Sequence, residues 1–167
     1  MDPAASSLPY SPQQVISQAF DFDPAELFAE QDQGQVQLDG ALLYIKLYQQ
    51  EESNVLLLMA DLGFLPTEQR SAYYQMMLVA NSGWRDLAGG ALCTDDSGDQ
   101  AFLRLRLDLD TLGAEILAQW LAAFVFAAEA WAMRIAATDS PAEAAAEAPE
   151  LMPQPQDFLG LALFNRA

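Results

Sequence analysis

The fold is decided by Leu42–Pro66, LLYIKLYQQEESNVLLLMADLGFLP, and by the segment after it, Thr67–Asn81. Leu42–Tyr48 and Val55–Ala60 are apolar runs rich in Leu, Ile, Val and Tyr, and the polar turn Gln49–Asn54 separates them. Runs of this length between turn residues predict the two antiparallel strands of a hairpin. Leu65-Pro66 ends the second strand, because proline has no N–H to give to a ladder. Thr67 is placed to cap a helix over Thr67–Asn81, in which Tyr73, Met76, Met77 and Ala80 recur at helical spacing. In the first strand Leu43, Ile45 and Leu47 share one face and read as core. Leu42, Tyr44, Lys46 and Tyr48 share the other, and its mixed character suits a surface that is covered only part of the time.

Working toward the N-terminus, Gln35–Asp39 alternates polar and apolar residues and predicts a short strand after a turn at Gln31–Gly34. Asp39-Gly40 is a two-residue hairpin signal that joins it to Leu42–Tyr48. Ser11-Pro12-Gln13-Gln14 is a helix start: Ser as cap, Pro in the first turn, Gln three residues after the cap. Val15, Ile16, Ala19 and Phe20 then fall on one face. Asp21-Phe22-Asp23-Pro24 either kinks this helix or splits it. In the second case Asp23 caps a further piece whose apolar side is Leu27 and Phe28.

Working toward the C-terminus, Ser82-Gly83 and Gly89-Gly90 break the chain. Ala91–Thr94 and Ala101–Asp108 flank the acidic turn Asp95–Asp99 and predict a second hairpin. Leu103, Leu105, Leu107 and Leu109 point one way, and Phe102, Arg104, Arg106 and Asp108 the other, as in a sheet with one dry and one wet face. Asp99 and Asp108 are the expected salt partners of those arginines. After a turn at Asp110–Gly113, Ala114–Ala136 is the longest helix. Its stripe runs through Ile116, Leu117, Trp120, Leu121, Phe124, Ala127, Ala128 and Trp131, with Val125 and Phe126 off it. A helix this apolar must be covered on more than one side, by its own domain or by a second chain. Thr138–Gln156 is an Ala, Glu and Pro linker, followed by the dense apolar patch Asp157–Phe164, DFLGLALF. That patch is either a docking segment for something else or a tail that packs back on its own domain.

Composition narrows the function. The chain has 167 residues, enough for one domain with a true core. Its net charge of -17 argues against nucleic acid and against an anionic membrane surface. It has no histidine and one cysteine, Cys93. A disulfide within the chain, a Cys/His zinc site and a Ser-His-Asp or Cys-His catalytic set are therefore excluded. Cys93 reads as a small hydrophobe on a strand. Met1–Tyr10 lacks the basic residues and apolar core of a secretory signal. Ile116–Ala128, bracketed by Glu115 and Glu129, falls short of the ~20 residues that a bilayer span needs. The cytoplasm is the expected compartment. No phosphate-binding glycine pattern or internal repeat is present, so no cofactor is expected.

The order is helix, three strands, helix, two strands, helix. It resembles the class I type III secretion chaperones, the CesT-like (Tir chaperone) family. The resemblance is carried by Val55–Ala60 running into Leu62-Gly63-Phe64-Leu65-Pro66, by Tyr74–Asn81 (YQMMLVAN) and its Gly-rich link, by Ala91-Leu92-Cys93 with an acidic turn, by the strand Phe102–Leu107, and by Asp110-Thr111-Leu112 opening the last helix. It spans roughly Ser11–Ala136. It implies an α+β fold with a twisted antiparallel sheet and three helices, a homodimer and no enzymatic activity. It also implies a partner: the N-terminal segment of a secreted effector, held non-globular for export, with the export ATPase of the secretion apparatus as a second partner. Carried onto this sequence, it makes Val15, Ile16, Phe20, Leu42, Tyr44 and Tyr48 the effector contacts, and Tyr73, Tyr74, Met77 and Leu78 the dimer contacts. The expected domain is 11–137, between an N-terminal stretch 1–10 and the tail 138–167.

Apart from the resemblance, the residues themselves suit a binding module: abundant apolar surface, an acidic solvating shell and no catalytic constellation. Three other readings remain at this stage. They are a regulator on the same fold that sequesters an activator or anti-activator, one subunit of a heterodimeric chaperone, and a hydrolase working through paired carboxylates.

Overall fold

Capping sets the limits of the first helix. The structure, a computed structural model, describes residues 11–23, 27–28, 32–38, 40–49, 53–83 and 85–137. Helix α1, Pro12–Phe20, begins with a full capping box. Ser11 Oγ accepts from the Gln14 amide, and Gln14 Oε1 accepts from the Ser11 amide at 2.9 Å. It ends at Asp21, whose left-handed backbone (φ 57°) stops the spiral. The Asp21–Pro24 signal thus ends the helix; it does not kink it. The Leu27 amide donates to the Asp23 carbonyl at 2.9 Å, and Leu27 is buried.

Five strands follow in one antiparallel sheet: β1 Gln33–Leu38, β2 Ala41–Gln49, β3 Asn54–Phe64, β4 Ala91–Thr94 and β5 Gln100–Asp108. Their spatial order is β1-β2-β3-β5-β4. Leu38 pairs with Ala41 across the Asp39-Gly40 turn, where Gly40 takes φ 95°. β1 begins two residues earlier than its alternation suggested, because Gly34 accepts a neighbour that no side chain would tolerate. A Cβ there would fall onto the Leu27 carbonyl. β3 continues past Ala60 to Phe64, over a register shift between Asp61 and Gly63.

Thr67 caps no helix. Thr67–Gln69 is a 3-10 turn with Pro66 at its N-cap position and no side-chain cap, and α2, Arg70–Gly83, starts only after it. Asp99 pairs with Arg70 at 2.7 Å, and with neither strand arginine. Asp108 instead caps the turn after β5, accepting from the Asp110 amide at 3.0 Å.

α3, Ala114–Ala136, closes the core. Leu117, Leu121, Phe124, Ala128 and Trp131 pack into one cluster with Leu43, Ile45, Leu56, Leu58, Leu103 and Leu105 from the sheet. Burying one such leucine is worth about 1.5–3 kcal/mol. α1 lies on the same helix and covers its second side, so Val125 is buried although it falls off the main stripe. Ile116, placed on the stripe by spacing, lies at the exposed start. At 23 residues α3 is long and apolar enough to cross a bilayer, which the shorter run Ile116–Ala128 did not suggest. Its burial between sheet and α1 makes it a core helix.

Candidate functional site

Strand periodicity gives the sheet two unlike faces. The inner face is sealed by α3. Across the outer face the register aligns Tyr44 with Met59 and Arg104, and Lys46 with Leu57 and Arg106. The next row is Tyr48, Val55 and Asp108. Leu42, Tyr44, Leu57 and Met59 are half-buried there, and Tyr48 is exposed. Tyr44 meets Phe102 edge-on, with ring centroids 6.5 Å apart. Lys46 Nζ sits 5.0 Å from the centre of the Tyr48 ring.

This apolar surface carries three of the chain's seven basic residues: Lys46, Arg104 and Arg106, all exposed. The one ion pair among the described residues is Arg70–Asp99, elsewhere in the molecule. Cys93, on β4 in register with Phe102, borders the face half-buried. Burial pushes its thiol pKa up, and Arg104 offsets part of that. A raised pKa lowers the thiolate fraction and slows the thiol's reactions without abolishing them.

The sheet's two edges also differ. α2 lies beside β4, and Asn81 occupies that edge: its Oδ1 accepts from the Leu92 amide at 2.8 Å and its Nδ2 donates to the Leu92 carbonyl at 3.0 Å. The β1 edge has no such cover among the described residues. The Leu47 amide donates to the Asp32 carbonyl at 2.7 Å, which fixes which β1 residues face β2. By alternation the backbone groups of Gln33, Gln35 and Gln37 point outward, free to pair with another strand.

The residues singled out by resemblance separate by burial. Val15, Ile16 and Phe20 lie within the chain's own core. Leu42, Tyr44 and Tyr48 lie together on the outer face. Tyr73 and Met77 are buried, and the Tyr73 hydroxyl donates to the Ala137 carbonyl at 3.3 Å. Tyr74 donates to the Gly98 carbonyl at 2.8 Å. Leu78 is 70% exposed, beside Val79 at 65%. Leu57, Met59 and Val79 join these surfaces although the sequence did not single them out, and Phe102 joins them from the face that alternation gave it. Val55–Met59 is apolar on both faces and hides its own alternation, and only its register with Lys46 and Arg106 reveals which side is open.

A shallow cleft between the β1–β2 turn and the second half of α3 holds two carboxylates, Asp61 and Glu129. Asp61 already accepts from the Gly63 amide at 2.9 Å and from Gln100 Nε2 at 2.6 Å. It thereby pins the bulge in β3.

The family model for the Tir chaperone protein (CesT) family matches residues 15–132. The chain belongs to the CesT family. Solved structures of the same fold include the ExsC–ExsE complex, at 17% identity and TM-score 0.57, covering 74% of this chain and 92% of that one. The ExoT–SpcS complex from Pseudomonas aeruginosa aligns at 21% identity and TM-score 0.50, over 72% of this chain and 97% of that one. The heterodimeric ExoU–SpcU complex, from the type III secretion system of the same organism, aligns at 17% identity and TM-score 0.52, over 75% and 94%. No curated protein matches by sequence. Three helices on a five-stranded antiparallel sheet are thus the family fold.

Proposed function

We propose that this CesT-family chain is a class I type III secretion chaperone. It holds a segment near the N-terminus of a secreted effector in extended form and keeps it soluble and competent for export from the bacterial cytoplasm. The observation that carries this reading is the outer sheet face: apolar, and among the described residues without a covering element and continuous with a β1 edge that pairs with no further strand. Ordering a bound segment costs about 1–2 kcal/mol per residue in backbone entropy. Strand addition along β1 supplies backbone hydrogen bonds against that cost, and the face from Leu42 to Met59 supplies apolar burial. Excess negative charge keeps the free chaperone dispersed while this surface is open.

In the same reading the chain acts as a homodimer. Leu78 and Val79 on α2 form the contact, supported by Tyr74, while Tyr73 and Met77 hold the helix in place from beneath. The export ATPase is a further partner of the loaded dimer. Leu42, Tyr44 and Tyr48 touch the effector directly, and Val15, Ile16 and Phe20 shape the support behind them.

The test is recovery of secreted proteins with the chain from its secreting host, quantified by mass spectrometry for the wild type and for Tyr44→Glu. Tyr44→Glu is expected to lose the effector while its far-UV circular dichroism stays unchanged. Undiminished recovery would move the binding surface elsewhere.

A further inference from the structure

Lys46, Arg104 and Arg106 stand on the outer face with no carboxylate partner among the described residues, on a chain of net charge -17. Lys46 on β2 and Arg104 and Arg106 on β5 flank the apolar row Val55, Leu57 and Met59 of β3, an arrangement complementary to a segment that is itself acidic and apolar. The chain encodes one. Thr138–Ala167 carries Asp139, Glu143, Glu147, Glu150 and Asp157 against a single Arg166, and then Phe158–Phe164, FLGLALF. In that run Leu159, Leu161 and Leu163 alternate with smaller or aromatic residues, so an extended backbone would lay all three leucines on one side.

We propose that the C-terminal segment docks in cis on the outer sheet face. Its leucines lie against Tyr44, Leu57, Met59 and Phe102, and its carboxylates lie near Lys46, Arg104 and Arg106. The exit point favours this. α3 is followed by Ala137, whose carbonyl the Tyr73 hydroxyl pins beside α2, the element that flanks the β4 side of the sheet. Fully extended, Thr138–Gln156 reaches roughly 60 Å, farther than the width of a domain of this size. A second copy's α2 is the competing occupant. It offers Leu78 and Val79 but has no carboxylate between Arg70 and Gly83 to answer the three cations. The outer face is also the one assigned above to the effector segment, so tail and effector would compete for it. That consequence rests on the proposed function, whereas docking itself is tested on the free chain.

Cys93 borders the same face and is the sole cysteine, so it takes one nitroxide label in the full-length chain. Docking in cis broadens the amide signals of Phe158–Phe164 beyond detection, independently of protein concentration. The double variant Leu159→Asp/Leu161→Asp, placed outside the core, restores them, as does Arg104→Glu/Arg106→Glu. A second readout leaves the thiol unlabelled. Iodoacetamide alkylation of Cys93 should run several-fold faster in Leu159→Asp/Leu161→Asp than in the wild type. Sharp tail signals in the labelled chain, or an alkylation rate indifferent to the tail substitutions, would overturn the proposal. Broadening seen only between labelled and isotope-enriched molecules in a mixture would also overturn it, because the occupant would then be a second copy.

Discussion

Leu56 and Leu58 on β3 are fully buried, whereas Leu57 and Met59, their neighbours in the chain, stay half open on the other side of the same sheet. All four are apolar and all belong to one strand. They differ in what lies opposite: α3 and its aromatic residues on the inner face, and no other element among the described residues on the outer. The inner face carries stability; recognition is the role proposed above for the outer face. The net charge of -17 opposes self-association of a sheet this apolar on its open side.

The contrast is sharpest in substitutions one residue apart. Leu58→Ala should cost ~2–5 kcal/mol, read as a lower denaturation midpoint in urea. Leu57→Ala should cost less than about 1.5 kcal/mol in the same titration, because the site is open enough to collapse, yet weaken partner binding. If the two variants are equally destabilised, the outer face is core and the division fails. Phe20→Glu belongs with Leu58: it places a charge in a sealed site, so lost binding there would report unfolding, unlike Tyr44→Glu.

A smaller effect is expected on α2. Leu78→Asp should leave the melting temperature of the monomer nearly unchanged, since Leu78 makes little contact within its own chain. The same change should shift self-association toward monomer in analytical ultracentrifugation. An unaltered sedimentation profile would place the dimer contact on another surface.

The smallest effect is at the β4–β5 turn. Asp95 is held below the ordinary aspartate value of 3.8, first by the Ser97 hydroxyl and then by the amides of Gln100, Asp99 and Ser97. A carboxylate with a depressed folded pKa contributes stability that is present above the unfolded value and is lost as pH falls through the folded one. The turn should therefore loosen only below pH 3.8, visible as chemical-shift changes at the Asp99 and Gln100 amides. Changes already complete at higher pH would contradict the hydrogen-bonded turn.

The element order was legible because each border had local chemistry: Ser11 and Gln14 at the first helix, Asp39-Gly40 at the first hairpin, Gly89-Gly90 before the second. The faces of β2 and β5 were legible too, since Lys46, Arg104 and Arg106 break the apolar alternation. Thr67 misled because a cap residue signals only where the backbone leaves a helix N-terminus beside it, and here Thr67 lies inside a 3-10 turn that precedes the helix. Asp99 misled because nearness along a strand says nothing of Arg70, which reaches it from α2. On α1 and α2 the apolar faces were legible, but not which apolar residues are sealed and which are open. Phe20 and Leu78 are both apolar residues on amphipathic helices, and only packing separates the sealed one from the open one.

The central claim is that the open outer face and the β1 edge together hold a partner segment in extended form. Amide hydrogen exchange at Gln33, Gln35 and Gln37 tests it most directly, compared between the free chain and the complex recovered with its effector. Strand addition predicts exchange slowed by more than about tenfold at these three positions, the equivalent of ~1.4 kcal/mol or more of protection. Equal exchange rates in the free and bound chain would contradict it.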